Sequence, residues 1–107
     1  MPTPFPPHPP IVELLASFQN GTRSPRDVVD ACLARIDAHD AAVNALPTRV
    51  ARNQVLEQAE RLQRAIARGE PVGPLAGLPY CAKDMHRTAG VRTTFGSPIF
   101  ADHVPET

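Results

Sequence analysis

A chain of 107 residues has room for one small domain, and its 42% apolar and 21% charged content places it among folded rather than disordered polymers. Eleven bases balance eleven acids with the two signs interspersed, so the basic stripe of a nucleic-acid reader is missing. The longest uncharged stretch after the N-terminus, Val72 to Ala82, is short and broken by Gly and Pro, which excludes it as a membrane span.

Cys32 and Cys81 lie far apart with no CxxC partner, a usage that suits reduced, packed thiols. The N-terminus has no Lys or Arg before Arg23 and is interrupted by prolines, unlike a signal peptide. The expectation is a cytoplasmic protein.

Met1 to Pro10 is proline-rich without apolar periodicity and reads as an extended leader. From there Ile11, Leu14, Leu15 and Phe18 mark one face of a helix that Asn20-Gly21 closes. Ser24-Pro25-Arg26-Asp27 starts a second helix. Ser24 supplies the cap, Pro25 suits the first helical position, and Asp27 stands where a capping-box acid would. Val28, Val29, Cys32, Leu33 and Ile36 carry this helix to about His39. Asp27 and Asp30 near its start and Arg35 and His39 near its end suit the macrodipole. Ala41 to Pro47 reads as an extended connector, because the residue before a proline disfavours helix. A third helix is predicted from about Arg49 to Arg68, with Val55, Ala59, Leu62 and Ile66 facing the core and Gly69 terminating it.

Beyond Gly69 the texture changes. Glu70 to Gly77 is a turn-rich connector, Leu78 to Ala82 has strand length, and Lys83-Asp84 follows. One strand cannot satisfy its own edges, so the last third lacks partners and the chain reads as truncated. Ten of the eleven bases are arginine, and Lys83 is the single lysine. A desolvated lysine can release its proton, which arginine in a protein cannot. Taken alone, Lys83 is still best read as a surface lysine.

The segment Gly73-Pro74-Leu75-Ala76-Gly77-Leu78-Pro79-Tyr80-Cys81-Ala82-Lys83-Asp84 resembles the amidase-signature family, with its Gly-Pro-Leu-x-Gly-x-Pro turn, short strand and Lys-Asp pair. The resemblance continues through Gly90 to Ser97 and on to Val104-Pro105. It also reaches back to the helix from Ser24 to Ile36 and to Val43-Asn44-Ala45. Met85 and His86-Arg87 depart from the family's usual continuation, so substrate does not follow from the likeness.

The resemblance implies an α/β fold, a mixed sheet enclosed by helices, of which residues 11–107 form an incomplete N-terminal part, mostly helical with one or two short strands. It also implies an amidohydrolase that cleaves carboxamide C–N bonds through a Ser–Ser–Lys mechanism. Lys83 would be the catalytic lysine, rigidly held at the end of a buried strand whose surroundings disfavour the charged amine. A bridging serine in a cis peptide and the nucleophilic serine would lie beyond Thr107, so these 107 residues alone are expected to be inactive. Asp84, Gly77, Pro79, Thr94, Gly96 and Ser97 are expected to support the site, and Ser97 is not its nucleophile. Neither cofactor nor metal is implied, and the partner is a small-molecule amide.

Cys81, Asp84 and His86 match no zinc or thiol-protease spacing and read as a packed thiol and an exposed imidazole. The remaining histidines, His8, His39 and His103, are scattered. Two other readings stand beside the amidase: a stand-alone helical interaction module of the same ancestry, and the A subunit of a tRNA-dependent amidotransferase, part of a complex delivering ammonia to a charged tRNA.

Overall fold

The computed structural model describes residues 9–107, so the expected leader lies outside the described residues except for Pro9 and Pro10. Three α-helices come first: α1 (Ile11–Asn20), α2 (Pro25–Val43) and α3 (Arg52–Ala67). In α1 the period-3.6 stripe buries Leu14 and Phe18, while Ile11 at its free end stays 58% exposed. Gly21 then turns the chain, and α2 begins as its sequence dictates. The Ser24 hydroxyl accepts the Asp27 N–H at 3.1 Å, with Pro25 at the first helical position.

The second helix runs one turn beyond the predicted end at His39, so Ala41 to Val43 are helical rather than extended. Asp40 accounts for this. Its buried carboxylate accepts the N–H groups of Ala45 at 2.8 Å and Leu46 at 3.3 Å, and takes the Arg49 guanidinium on its other oxygen at 2.7 Å. The chain leaving the helix is thereby folded back on the last turn, with Asn44 left-handed at φ 50°. Arg49, drawn to Asp40, stays outside α3, which starts three residues later than predicted.

At the far end of α3, Glu70 N–H bonds to Ala65 C=O and Gly69 N–H to Ile66 C=O, both at 3.0 Å. This is a Schellman closure, with Gly69 in the left-handed position as predicted. The helices α2 and α3 pack as a hairpin, and α1 lies against α3. Val29 and Ala59 are buried in this assembly. Arg26–Glu60 and Arg52–Asp37 pair across the hairpin on its exposed rim, where such pairs contribute about 0–1 kcal/mol each and chiefly fix register.

Among the described residues no strand forms, and the one predicted over Leu78–Ala82 is irregular backbone. A strand exists only through a ladder with a neighbour, and no described segment runs beside this one to supply it. From Thr88 onward the chain is held by turns, an isolated antiparallel bridge between Thr88 and Val91, and a short 3₁₀ turn at Pro98–Phe100. The closing residues come back in the opposite direction, with Gly90 N–H on Pro105 C=O and Thr93 N–H on His103 C=O, each at 2.9 Å. Thr93, only 2% exposed, is the pivot of this unit, and its hydroxyl donates to Val91 C=O.

Candidate functional site

The turn after α3 is seated by contact with the first two helices. Gly77 is buried at φ +97°, and a Cβ there would lie 2.9 Å from Pro25 Cγ and 3.0 Å from Phe18 Cδ2 and Cε2. Only glycine satisfies both the backbone angle and the space. The glycine anchors the start of the segment that leads past Pro79 to Lys83, and Pro79 itself is exposed.

Lys83 and Asp84 enter a turn in which Lys83 C=O accepts His86 N–H at 2.9 Å. The Lys83 side chain is exposed in this chain, not sheltered at the end of a buried strand as its sequence context suggested. Burial there would require neighbouring segments that residues 9–107 do not supply.

Asp84 is the organising group. One carboxylate oxygen accepts Thr94 N–H at 2.8 Å, the other accepts the Thr94 hydroxyl, and Asp84 C=O accepts Phe95 N–H at 3.0 Å. The Thr94 hydroxyl, followed by the Thr94 N–H, holds the Asp84 carboxyl below the usual carboxylate range, against the opposing effect of desolvation. Gly96 N–H reaches the Thr94 hydroxyl at 3.3 Å, and the Arg92 charge contributes in the same direction.

Thr94 to Ser97 form a tight turn closed by Ser97 N–H on Thr94 C=O at 2.9 Å, with Phe95 at φ 53° and Gly96 at φ 70°. Two consecutive left-handed residues define a type I′ turn, in which a phenylalanine is strained. The Phe95 ring packs edge-on to Phe100 at 5.3 Å and beside His103 at 6.1 Å, which together with the Asp84 bond keeps it there. Ser97 accepts Ile99 N–H at 3.3 Å and caps the 3₁₀ turn.

Of the residues singled out from sequence, Asp84, Thr94, Gly96 and Ser97 thus come together beside Lys83, while Gly77 acts at a distance through Phe18 and Pro25. Sequence reasoning passed over three others. These are Asp40, which falls between the predicted helix and its connector, and Arg92 and Phe95, which stand in the Gly90 to Ser97 stretch without a role of their own. The Phe95-Gly96 pair carried a weak turn signal, whereas the roles of Asp40 and Arg92 depend on contacts that no local pattern announces.

Cys32 is half-buried on α2 and Cys81 is exposed, both as free thiols. Burial pushes the Cys32 thiol up, with Arg35 opposing and Cys81 reinforcing the shift. Among the described residues no three His, Cys, Asp or Glu side chains gather as a metal site, and no helix is long and apolar enough to cross a membrane.

The helical hairpin thus leads through a glycine-anchored turn to Lys83 and the clasped Asp84. The Amidase family model matches residues 27–107, and the chain belongs to that family. It is 36% identical over 92 residues to an acylamidase of Rhodococcus erythropolis, covering 86% of this chain and 19% of that protein. To the A component of the glutamyl-tRNA(Gln) amidotransferase of Moorella thermoacetica it is 48% identical over 82 residues, covering 77% of this chain and 17% of the relative. A solved structure described as a vestigial protein complex bearing on the origins of an s-triazine catabolic enzyme contains a chain that superposes with a TM-score of 0.79 at 37% identity. That match covers 89% of the present chain and 21% of the other. The chain therefore spans about a fifth of the length of the relatives it matches.

Proposed function

We propose that these residues form the N-terminal part of an amide hydrolase of the Ser–Ser–Lys type, acting on a small-molecule carboxamide in the cytoplasm. In the whole protein the fold is α/β, with segments outside these 107 residues providing the sheet that shelters the Leu78 to Lys83 run. Lys83 in its neutral form accepts a proton relayed from the nucleophilic serine through a bridging serine. That nucleophile attacks the amide carbon, the C–N bond breaks, and the relayed proton leaves with the amine or ammonia. Water then releases the acid from the acyl-enzyme. Backbone N–H groups near the serines would hold the tetrahedral oxyanion.

The observation that supports this reading most is the clasp between Asp84 and the Thr94 turn. It fixes the backbone next to Lys83 from two sides through bonds that do not use the Lys83 amine. A lysine serving only as a solubilising charge needs no such fixture. The test is amide hydrolysis, followed as ammonia release, by protein expressed from the complete reading frame. Activity that disappears in Lys83→Ala supports the reading, and activity that survives it removes Lys83 from the mechanism.

A second reading is favoured by the higher identity to the Moorella relative: an amidotransferase component that takes ammonia from a donor amide for use on a charged tRNA. Hydrolysis of glutamine in preference to simple acyl amides would select it.

A further inference from the structure

Arg92 joins two parts of the chain that lie on either side of α3 in sequence. Its Nη1 donates to the Thr48 hydroxyl at 2.8 Å, in the connector between α2 and α3, and its Nε donates to Ala101 C=O. Thr48 adjoins Arg49, which is held at 2.7 Å by the buried Asp40 carboxylate at the end of α2. On its other side Arg92 is two residues before Thr94, the residue that Asp84 grips through both its N–H and its hydroxyl. An unbroken path therefore runs from Asp40 through Arg49 and Thr48 to Arg92, and along the backbone to Thr94, Asp84 and Lys83.

We propose that Arg92 is a positioning residue for Lys83, fixing the Asp84–Thr94 clasp by bracing its loop against the connector between α2 and α3. This rests on the reading of Lys83 as the base. A planar guanidinium suits the task because its donors lie in a fixed fork and reach two acceptors on different segments at once. The single ammonium of a lysine keeps the charge but cannot hold that two-point geometry. Half of the bracing lies outside the loop itself, so a change at Thr48 must be felt at Lys83, 35 positions along the chain.

Lys83 is the chain's one lysine, so carbon-13 lysine labelling gives a single assignable side-chain ε-methylene resonance. That resonance, with amide hydrogen exchange at Thr94 and Phe95, is measured in the 107-residue chain and in Arg92→Gln, Arg92→Lys, Thr48→Val and Thr48→Ser. Unchanged exchange within α2 and α3 serves as the control that each variant folds. Arg92→Gln is expected to speed exchange at Thr94 and Phe95 about fivefold, the scale of one lost hydrogen bond, and to move the Lys83 resonance. Thr48→Val should reproduce both effects, Thr48→Ser should restore the starting values, and Arg92→Lys should not.

Full rescue by Arg92→Lys, or a Lys83 resonance that Thr48→Val leaves in place, would overturn the bracing role. Failure here is separable from failure of the amidase reading. Unchanged spectra remove Arg92 and leave Lys83→Ala to be judged by hydrolysis, whereas hydrolysis that survives Lys83→Ala leaves the brace standing without a base to position.

Discussion

Asp84 takes both polar hydrogens of Thr94, the N–H at 2.8 Å on one carboxylate oxygen and the hydroxyl on the other, while its own C=O receives Phe95 N–H at 3.0 Å. Three bonds between residues about ten positions apart make a closed loop out of a segment that has no sheet to rest on. The ionised carboxylate is the acceptor for two of them, so the clasp is also a titrating device.

The folded carboxyl of Asp84 lies below its ordinary value, chiefly through the Thr94 hydroxyl, whereas the unfolded carboxyl titrates near pH 4. Unfolding therefore takes up protons in the interval between the two values. The stabilisation is fully present above about pH 4 and is lost as pH falls through the lower, folded value. Following the Thr94 amide resonance from pH 7 to pH 2 should show one transition centred below pH 4. Asp84→Asn should abolish it and lower the thermal midpoint at neutral pH. A midpoint at or above the ordinary aspartate value would mean that the clasp does not bind the ionised form preferentially.

At Gly77 the prediction concerns space. Alanine would bring its Cβ to 2.9 Å from Pro25 Cγ and to 3.0 Å from the Phe18 ring while retaining φ +97°. Both neighbours are buried and rigid, so the strain cannot be relieved by a flexible side-chain end. Crowding of this kind with left-handed backbone costs about 3 kcal/mol. Urea unfolding of Gly77→Ala should show that loss, whereas Gly73→Ala, where a Cβ meets nothing within 4 Å, should be close to neutral. Equal losses at the two positions would show that the packing on Phe18 is not what holds the turn.

The three helices were legible because each is specified locally, by an apolar stripe at helical spacing and, at Ser24 and Gly69, by termini whose hydrogen bonds involve near neighbours. Errors fell where a longer reach decides. Asp40 fixes the end of α2 one turn later through bonds to Ala45, Leu46 and Arg49; Ala41 and Ala42 favour helix, but where the helix stops is set by those contacts. Leu78 to Ala82 has strand length, but length does not supply a neighbouring strand. In the candidate site, Lys83 and Asp84 stand out through the family motif and the lone lysine. Phe95 and Arg92 gain their parts only when residues distant in sequence are brought to Asp84 and Thr48.

Ser24 tests how far local specification carries stability. Its hydroxyl satisfies the Asp27 N–H at 3.1 Å, one of the helix-start donors that otherwise has no partner. Ser24→Ala should cost about 1 kcal/mol, and Ser24→Asp should retain most of the stability because it presents an acceptor together with a charge suited to the N-terminal dipole. Chemical denaturation of both variants measures this directly. An alanine variant as stable as the parent would place the determinant of the α2 start at Pro25 and the Gly77 contact instead.

Lys83 gives the sharpest separation of chemistry from folding. It is exposed in this chain, so replacing it leaves the Asp84 clasp and the Gly77 anchor intact. The 107-residue variant Lys83→Ala should keep the thermal midpoint of its parent within the small range usual for surface substitutions. Protein from the complete reading frame should behave differently. In the proposed mechanism the same change removes the group that accepts the serine's proton, and loss of a general base lowers kcat/KM by about 10²–10⁴-fold. Lys83→Arg should fail to restore activity, because a guanidinium keeps the charge but does not give up its proton to become a base. Activity recovered by arginine would show that Lys83 acts as a fixed positive charge on the substrate, and the proton relay would have to be assigned to another residue.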